Sequence, residues 1–245
     1  RGFEANRVLL VVDGVRMNDA IFRSGHVHHA LSVDPLSLSR AEVIFGPSSV
    51  GYGSDALGGV IHFYTKTPLI NQQKKVHVSG SSSFNFRQNT SKQAALFEYS
   101  ASKWAMLQYV SYAQFGDIIM GNRSPHGYDN WGKVYTYSEN SASYFSSTPT
   151  ANNNPNTQRN SGYEQVDALQ KWVYHTSNGL KFTLNMQGSK SGNIPRFDKL
   201  TQIQDNALRF ARWDYGPQKR WLISPQLSFV GNRPWLASGK CLCKS

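Results

Sequence analysis

Arg40 to Lys66 reads RAEVIFGPSSVGYGSDALGGVIHFYTK, and the fold turns on this stretch. Ala41 to Phe45 and Val60 to Thr65 have strand character, because apolar, β-branched and aromatic side chains suit a pleated sheet. Between them Gly46, Gly51, Gly53, Gly58 and Gly59 let the backbone turn tightly and admit close approach by other segments. Upstream, Val8 to Val12 is a continuous apolar run, as a strand covered on both faces requires, and Asp13-Gly14 is a turn signal. Met17 to Leu38 is expected to be loop with room for one short helical turn, broken at Asp34-Pro35, and it reads as the most exposed part of this region. Residues 1–70 are therefore expected to form a compact α/β unit.

From Lys74 onward the period becomes two. Val76, Val78, Phe84 and Phe86 fall on one side, and His77, Ser79, Ser81, Ser83 and Asn85 on the other. A short polar link leads to a second strand around Ala95 to Ala101, and Ala105 to Phe115 forms a third. Residues 116–163 are long, polar and rich in Asn, Ser, Gly and Tyr, a length that in a compact domain marks a functional or disordered connection. Alternation resumes with Val166, Ala168, Trp172 and Tyr174 opposite Asp167, Lys171 and His175. Asn178-Gly179 makes a tight hairpin turn, after which Leu180, Phe182, Leu184 and Met186 face away from Lys181, Thr183, Asn185 and Gln187. A second polar connection, about Ser191 to Arg220, ends in a last strand from Trp221 to Phe229.

That rhythm of strand, short link, strand and long loop is how outer-membrane barrels are built, with aromatic residues near the water boundary. Trp104, Phe115, Trp172, Tyr174 and Trp221 fit such girdles. A soluble β-sandwich also alternates, but with a more charged polar face and shorter loops. The chain has 245 residues, a formal net charge of +11, and 39% hydrophobic and 13% aromatic content. No window reaches the roughly 18 unbroken apolar residues of a membrane-spanning helix, a test that alternating barrel strands escape.

The basic residues are scattered, with pairs such as Lys74-Lys75 and Lys219-Arg220 as the longest runs. This fits a surface meeting lipid headgroups or anionic solutes better than one that binds nucleic acid, which is not expected as a partner. Cys241 and Cys243 make neither a disulfide framework nor paired zinc spacing. Gly51-x-Gly53-x-x-Ala56 meets a loose dinucleotide pattern, but a strand follows it, and no helix N-terminus would hold the pyrophosphate. Ser48-Ser49 is no nucleophile elbow and no His-Glu-x-x-His occurs. No enzyme, cofactor or resident metal site is expected.

The opening stretch closely resembles the end of the plug domain of TonB-dependent outer-membrane receptors. Arg40, Glu42, Val43, Gly46 and Pro47, then Tyr52 and Gly53, then Gly58, Gly59, Val60, Ile61, Thr65 and Lys66 stand where that family's motif has them. Val11 to Val15 is similar to its apolar strand ending in Asp-Gly. Ala41 replaces a common Ile, and His62-Phe63 replaces the usual Asn-Ile. The resemblance implies a mainly β fold, a small α/β plug domain followed by antiparallel strands of an incomplete outer-membrane β-barrel. Residues 1–70 would be the C-terminal part of the plug. Residues 71–245 would be the N-terminal part of the barrel with long extracellular loops, ending in an atypical tail after about residue 230.

It also implies a receptor in the outer membrane of a Gram-negative bacterium, in contact with outer-membrane lipid. Such a receptor catches a solute outside and releases it inward through TonB and its inner-membrane energising complex. The Gly-Pro-Ser-Ser-x-x-Tyr-Gly-Ser form is similar to the iron or haem branch, so a ferric siderophore or haem is the expected ligand. Cobalamin or a glycan is the alternative within the family, and a secreted β-rich surface binding module the alternative outside it. The family's barrels have about twenty-two strands against about six here, so a truncated chain is expected.

Candidate ligand-binding residues are Asn18, Arg23, His26, His28 and His29 in the first region, because apical plug loops of the resembled family help form the outward site. An extended chain puts His26 and His28 on one face, a usable pair for a metal or haem iron, or they are incidental loop histidines. Tyr128, Trp131 and Tyr135, with Tyr137 and Tyr144, offer stacking and hydrogen bonding to a flat or sugar-like ligand, or form packing rims of the wall.

Overall fold

The computed structural model describes residues 8–17, 33–46, 49–53, 56, 58–123, 127–139, 146–229 and 239–242. Its first unit is a four-stranded mixed sheet of β1 (Val8–Val12), β2 (Val15–Arg16), β3 (Leu38–Phe45) and β4 (Gly59–Thr65), in the order β2-β1-β4-β3. β1 and β4 run parallel and the other pairs antiparallel. Being central, β1 is apolar throughout. Leu9 and Val11 pack with Ala56 and Val60 on one face, and Leu10 and Val12 pack with Met17 and Val33 on the other.

Asp13 and Gly14 both have positive φ, 48° and 86°, as the tight β1–β2 hairpin needs. A short helix α1 (Ser49–Tyr52) leads from β3 toward β4. Gly59 has φ 143°, and a Cβ there would sit 2.6 Å from the Ile44 carbonyl oxygen, so only glycine lets β3 and β4 close at this point.

The second unit is a single antiparallel wall. It begins with β5 (Lys75–Asn85), β6 (Thr90–Ser100) and β7 (Trp104–Phe115). The first long loop follows, carrying β8 (Ile118–Ile119), β9 (Thr136–Tyr137), β10 (Thr150–Ala151) and β11 (Thr157–Gln158), paired as β8 with β11 and β9 with β10. Then come β12 (Tyr163–His175) and β13 (Leu180–Ser191). The second long loop holds β14 (Ile194–Pro195), α2 (Phe197–Leu200), β15 (Ile203–Gln204), β16 (Ala207–Leu208) and β17 (Asp214–Tyr215). β18 (Lys219–Phe229) and β19 (Gly239–Leu242) end the wall, whose order is β19-β18-β13-β12-β7-β6-β5. Among the described residues the wall is open, since β5 and β19 each pair on one side only, and no helix is long and apolar enough to cross a membrane.

Alternation sets what each face carries. Leu107, Tyr109, Ser111, Leu169, Lys171, Asn185 and Gln187 are buried on the inward face. Val110, Tyr112, Val166, Tyr174, Trp221, Ile223 and Leu227 are exposed on the outward one. Near the short turns the outward aromatics pack together, with Tyr99 and Trp104 centroids 4.6 Å apart and Trp104 stacked 5.7 Å from Trp172.

The connection from β5 to β6 is the short link expected, closed with Asn89 at a positive φ of 47°, and the register puts it at the same end as the two long loops. Several expectations are corrected here. Phe115 lies on the inward parity and stacks on Tyr163 at 4.7 Å instead of joining an outward girdle. Gly239 to Leu242, in the tail expected to leave the pattern, pair with Gln226 to Phe229. The Met17–Leu38 region is not uniformly exposed: Met17, Val33, Asp34 and Ser37 are buried, because they are pressed into the small sheet's core or onto the wall.

Candidate functional site

Two aspartates join the small sheet to the inward face of the wall. The β1–β2 hairpin places Asp13 at the end of β1. Its Oδ1 accepts the Thr65 N–H at 2.9 Å, and its Oδ2 accepts the Thr65 hydroxyl at 2.6 Å. Oδ2 also accepts from Asn185 Nδ2 at 2.8 Å and Gln187 Nε2 at 2.9 Å, two residues that alternation puts on one face of β13. Lys171 Nζ, from the adjacent β12, stands 3.1 Å away, with side-chain exposure of 5% for Lys171 and 11% for Asp13. Lys171 donates further to the Thr65 carbonyl at 3.3 Å and the Thr67 hydroxyl at 3.2 Å. A charge pair this dry is tolerable because its remaining hydrogen-bonding capacity is filled.

Asp34 caps a 3-10 turn, Pro35–Ser37, accepting the Leu36 N–H at 2.9 Å. The rest of its carboxylate is taken by the wall. Lys92 Nζ donates to Oδ1, and the Tyr109 hydroxyl, at 2.7 Å, and the Ser111 hydroxyl donate to Oδ2. Burial pushes this carboxyl's pKa up, but the hydrogen bonds from Lys92, Ser111, Tyr109 and Leu36 outweigh it and hold the pKa below the ordinary value. Between the two aspartates lies a cavity of about 10 Å³ lined by Asp34, Ser37, Thr65, Tyr109, Asp167, Gln187 and Arg220, room for about one water. The contact is a polar seat of the small sheet on the wall, made by two carboxylates and their hydrogen-bond donors.

The motif residues lie along β3, β4 and the connection between them. Arg40 donates to Glu42 at 2.8 Å and lies 3.8 Å over the Tyr64 ring, whose hydroxyl donates to Glu42 at 3.0 Å. Tyr64 in turn stacks on His62 at 4.0 Å. His62 Nε2 accepts the Gly14 N–H at 3.1 Å, and burial lowers the imidazole's pKa. Tyr52 packs against the core of Leu9, Val11, Ala56 and Val60. Gly46 and Gly53 have positive φ of 88° and 94°, and Gly58 leads directly into β4. Glu42, Tyr52 and the glycines thus shape the small sheet.

Asn18, Arg23, His26, His28, His29 and Pro47, with Tyr144, lie outside the described residues. Tyr128, Trp131 and Tyr135 stand on the first long loop, 71%, 70% and 52% exposed, away from the long strands of the wall. The Tyr135 hydroxyl donates to Asn130 Oδ1 at 2.7 Å. The second long loop carries a cation–aromatic cluster that the sequence reading passes over. In it Arg196 lies 5.2 Å from the Tyr215 ring, Lys199 lies 5.8 Å from Trp213, and Phe210 packs edge-on to Trp213 at 4.6 Å. Arg196 and Arg212 are each bonded to a neighbouring acid, Asp198 and Asp214. In the first loop Asp117, Asp129 and Glu139 match Arg123, Lys133 and Arg159 in number, so the basic excess of the chain is not concentrated on the long loops.

Residues 1–60 match the family model of the TonB-dependent Receptor Plug Domain. The vitamin B12 transporter BtuB of Vibrio vulnificus is 30% identical over 171 residues, 57% of this chain and 28% of that protein. The hemin receptor of Yersinia enterocolitica is 42% identical over 65 residues, 26% of this chain and 9% of that protein. The chain thus spans only a minor part of the length of either relative. Among solved structures, the siderophore receptor PirA of Acinetobacter baumannii is similar with TM-score 0.58 at 18% identity, over 97% of this chain and 31% of that one. A mutant of the ferric enterobactin receptor PfeA of Pseudomonas aeruginosa gives 0.57 at 15% identity, over 97% and 32%. These two are likenesses of fold. A plug-domain match over residues 1–60, and a fold in which the small sheet sits on an open antiparallel wall as in the two siderophore receptors, make this chain similar to TonB-dependent receptors.

Proposed function

We propose that this chain serves an outer-membrane receptor of a Gram-negative bacterium that takes up an iron complex, a ferric siderophore or haem, with energy delivered through TonB and its inner-membrane complex. The observation that carries this reading is the polar seat of the plug on the wall. Asp13 and Asp34 are bonded to Lys171, Asn185, Gln187, Lys92, Tyr109 and Ser111, contacts that hold the plug at rest and that water can replace when it is displaced. The family's members are transporters and not enzymes. Exposed Tyr128, Trp131 and Tyr135 support a flat ligand that stacks on rings, and one relative, 42% identical over 65 residues, is a hemin receptor. Asn18, Arg23, His26, His28 and His29 complete the proposed ligand side of the plug.

A second reading is cobalamin uptake, favoured by the 57% of the chain that aligns with BtuB. One titration separates the two. Quenching of tryptophan fluorescence in the detergent-solubilised protein is followed with ferric siderophores, haemin, cyanocobalamin and a maltooligosaccharide. Saturable binding of one iron complex alone supports iron uptake. Equal or tighter binding of cyanocobalamin or the oligosaccharide removes it.

A further inference from the structure

The outward face of the wall is almost free of charge. At the outward positions of β5, β6, β7, β12, β13 and β18 the Asp, Glu, Lys and Arg residues are Glu164, Lys190 and Lys219 alone. Glu164 accepts a hydrogen bond from the Tyr112 hydroxyl at 3.1 Å. The two lysines are directly opposite one another in the β13–β18 register, which sets their Cβ atoms about 5 Å apart. Both are exposed, and among the described residues neither forms an ion pair.

Like charges directly opposite on one face destabilise a sheet. On a surface that elsewhere avoids cations altogether, this pairing calls for an anion. The pair also lies at one rim only, the end that bears the long loops. One step toward the middle of the wall, the indole of Trp221, 81% exposed, lies against Gly188, and beyond it come Ile223, Met186 and Leu227. The opposite rim carries the uncharged Tyr99, Trp104 and Trp172 group.

We propose that Lys190 and Lys219 together hold the phosphate of a lipid headgroup at the long-loop rim of the wall. This rests on the reading that the wall stands in an outer membrane with this face toward lipid. A phosphate oxygen set between two ammonium groups takes charge-assisted hydrogen bonds from both and cancels their repulsion. Trp221 then occupies the interfacial layer, and the acyl chains run along Ile223, Met186 and Leu227. Lysines that merely reached independently for water would have no reason to face each other.

The test uses the purified protein in non-ionic detergent, incubated with dioleoylphosphatidic acid, dioleoylglycerol or inorganic phosphate, with retained lipid counted by native mass spectrometry. Phosphatidic acid should be retained over dioleoylglycerol and resist displacement by equimolar inorganic phosphate. Its retention should fall about fivefold in K190Q or K219Q and about thirtyfold in the double variant, since each lysine near a lipid surface is worth about one kcal/mol. K103Q, at the opposite rim, should leave it unchanged. Equal retention by wild type and double variant, or displacement by inorganic phosphate, overturns the proposal. Retention of both lipids without preference does the same while leaving the membrane reading intact. A protein that stays dispersed without detergent and retains no lipid removes both.

Discussion

Asp13 and Lys171 meet at 3.1 Å across the junction of plug and wall, each nearly sealed from solvent. Removing one charge from such a pair strands the other in a dry site. Asp13→Asn should therefore destabilise the folded protein by about 3 kcal/mol, seen as a lower denaturant midpoint and earlier protease cleavage within residues 1–70. Asp13→Asn with Lys171→Met should recover much of the loss, because no buried charge is left unpaired. A midpoint unmoved by the single change would show that the pair does not hold the plug.

Asp34 makes the seat sensitive to acid. Its pKa is held below the ordinary 3.8, so the unfolded chain takes up this proton first as pH falls. The stabilisation is complete above about pH 4 and is lost as pH drops through the lower folded value. In Asp34→Asn, unfolding free energy plotted against pH should be flatter below about pH 4 than in wild type. Parallel curves would exclude Asp34 as the source of this slope.

Gly59 is fixed by geometry. Its φ of 143° and the 2.6 Å approach of the Ile44 carbonyl to a would-be Cβ leave Gly59→Ala both strained and crowded. A loss of about 2 kcal/mol is expected, measured by thermal unfolding. Gly51→Ala, where a Cβ meets nothing within 4 Å and φ is not positive, should cost far less. Equal losses would mean that the β3–β4 closure does not require glycine.

Trp131 is 70% exposed on the first long loop and belongs to the proposed ligand site. Trp131→Ala should weaken binding of the preferred iron complex by about 1 kcal/mol, close to fivefold, in equilibrium titration. The unfolding midpoint should stay within about 0.5 kcal/mol of wild type. Unchanged affinity would take this residue out of the ligand site.

The wall was legible because its signal is local. Leu180, Phe182, Leu184 and Met186 alternate with Lys181, Thr183, Asn185 and Gln187, and the positive φ of 80° at Gly179 sits where the Asn-Gly turn requires it. The start of β3 was read at Ala41 instead of Leu38 because a register shift between Leu38 and Arg40 breaks the period of two. The two-residue strands of the long loops are too short to show any period. The seat itself had no local signature. Asp34 reads as a turn residue and Asp13 as half of a hairpin signal, and their partners Lys92, Lys171 and Asn185 lie far along the chain. The one available clue was charge, since Lys92 and Lys171 fall on the inward side of alternating strands, where a buried lysine needs an acid. The histidines proposed for the ligand side lie outside the described residues.

The proposed function is uptake through a plug that leaves its seat. The direct measurement is accumulation of a radiolabelled ferric siderophore or haem by cells carrying or lacking the gene, each in strains with and without TonB. Accumulation that needs both the gene and TonB, and that labelled cyanocobalamin does not share, is the predicted result. Accumulation of the iron complex unaffected by loss of either one would contradict it.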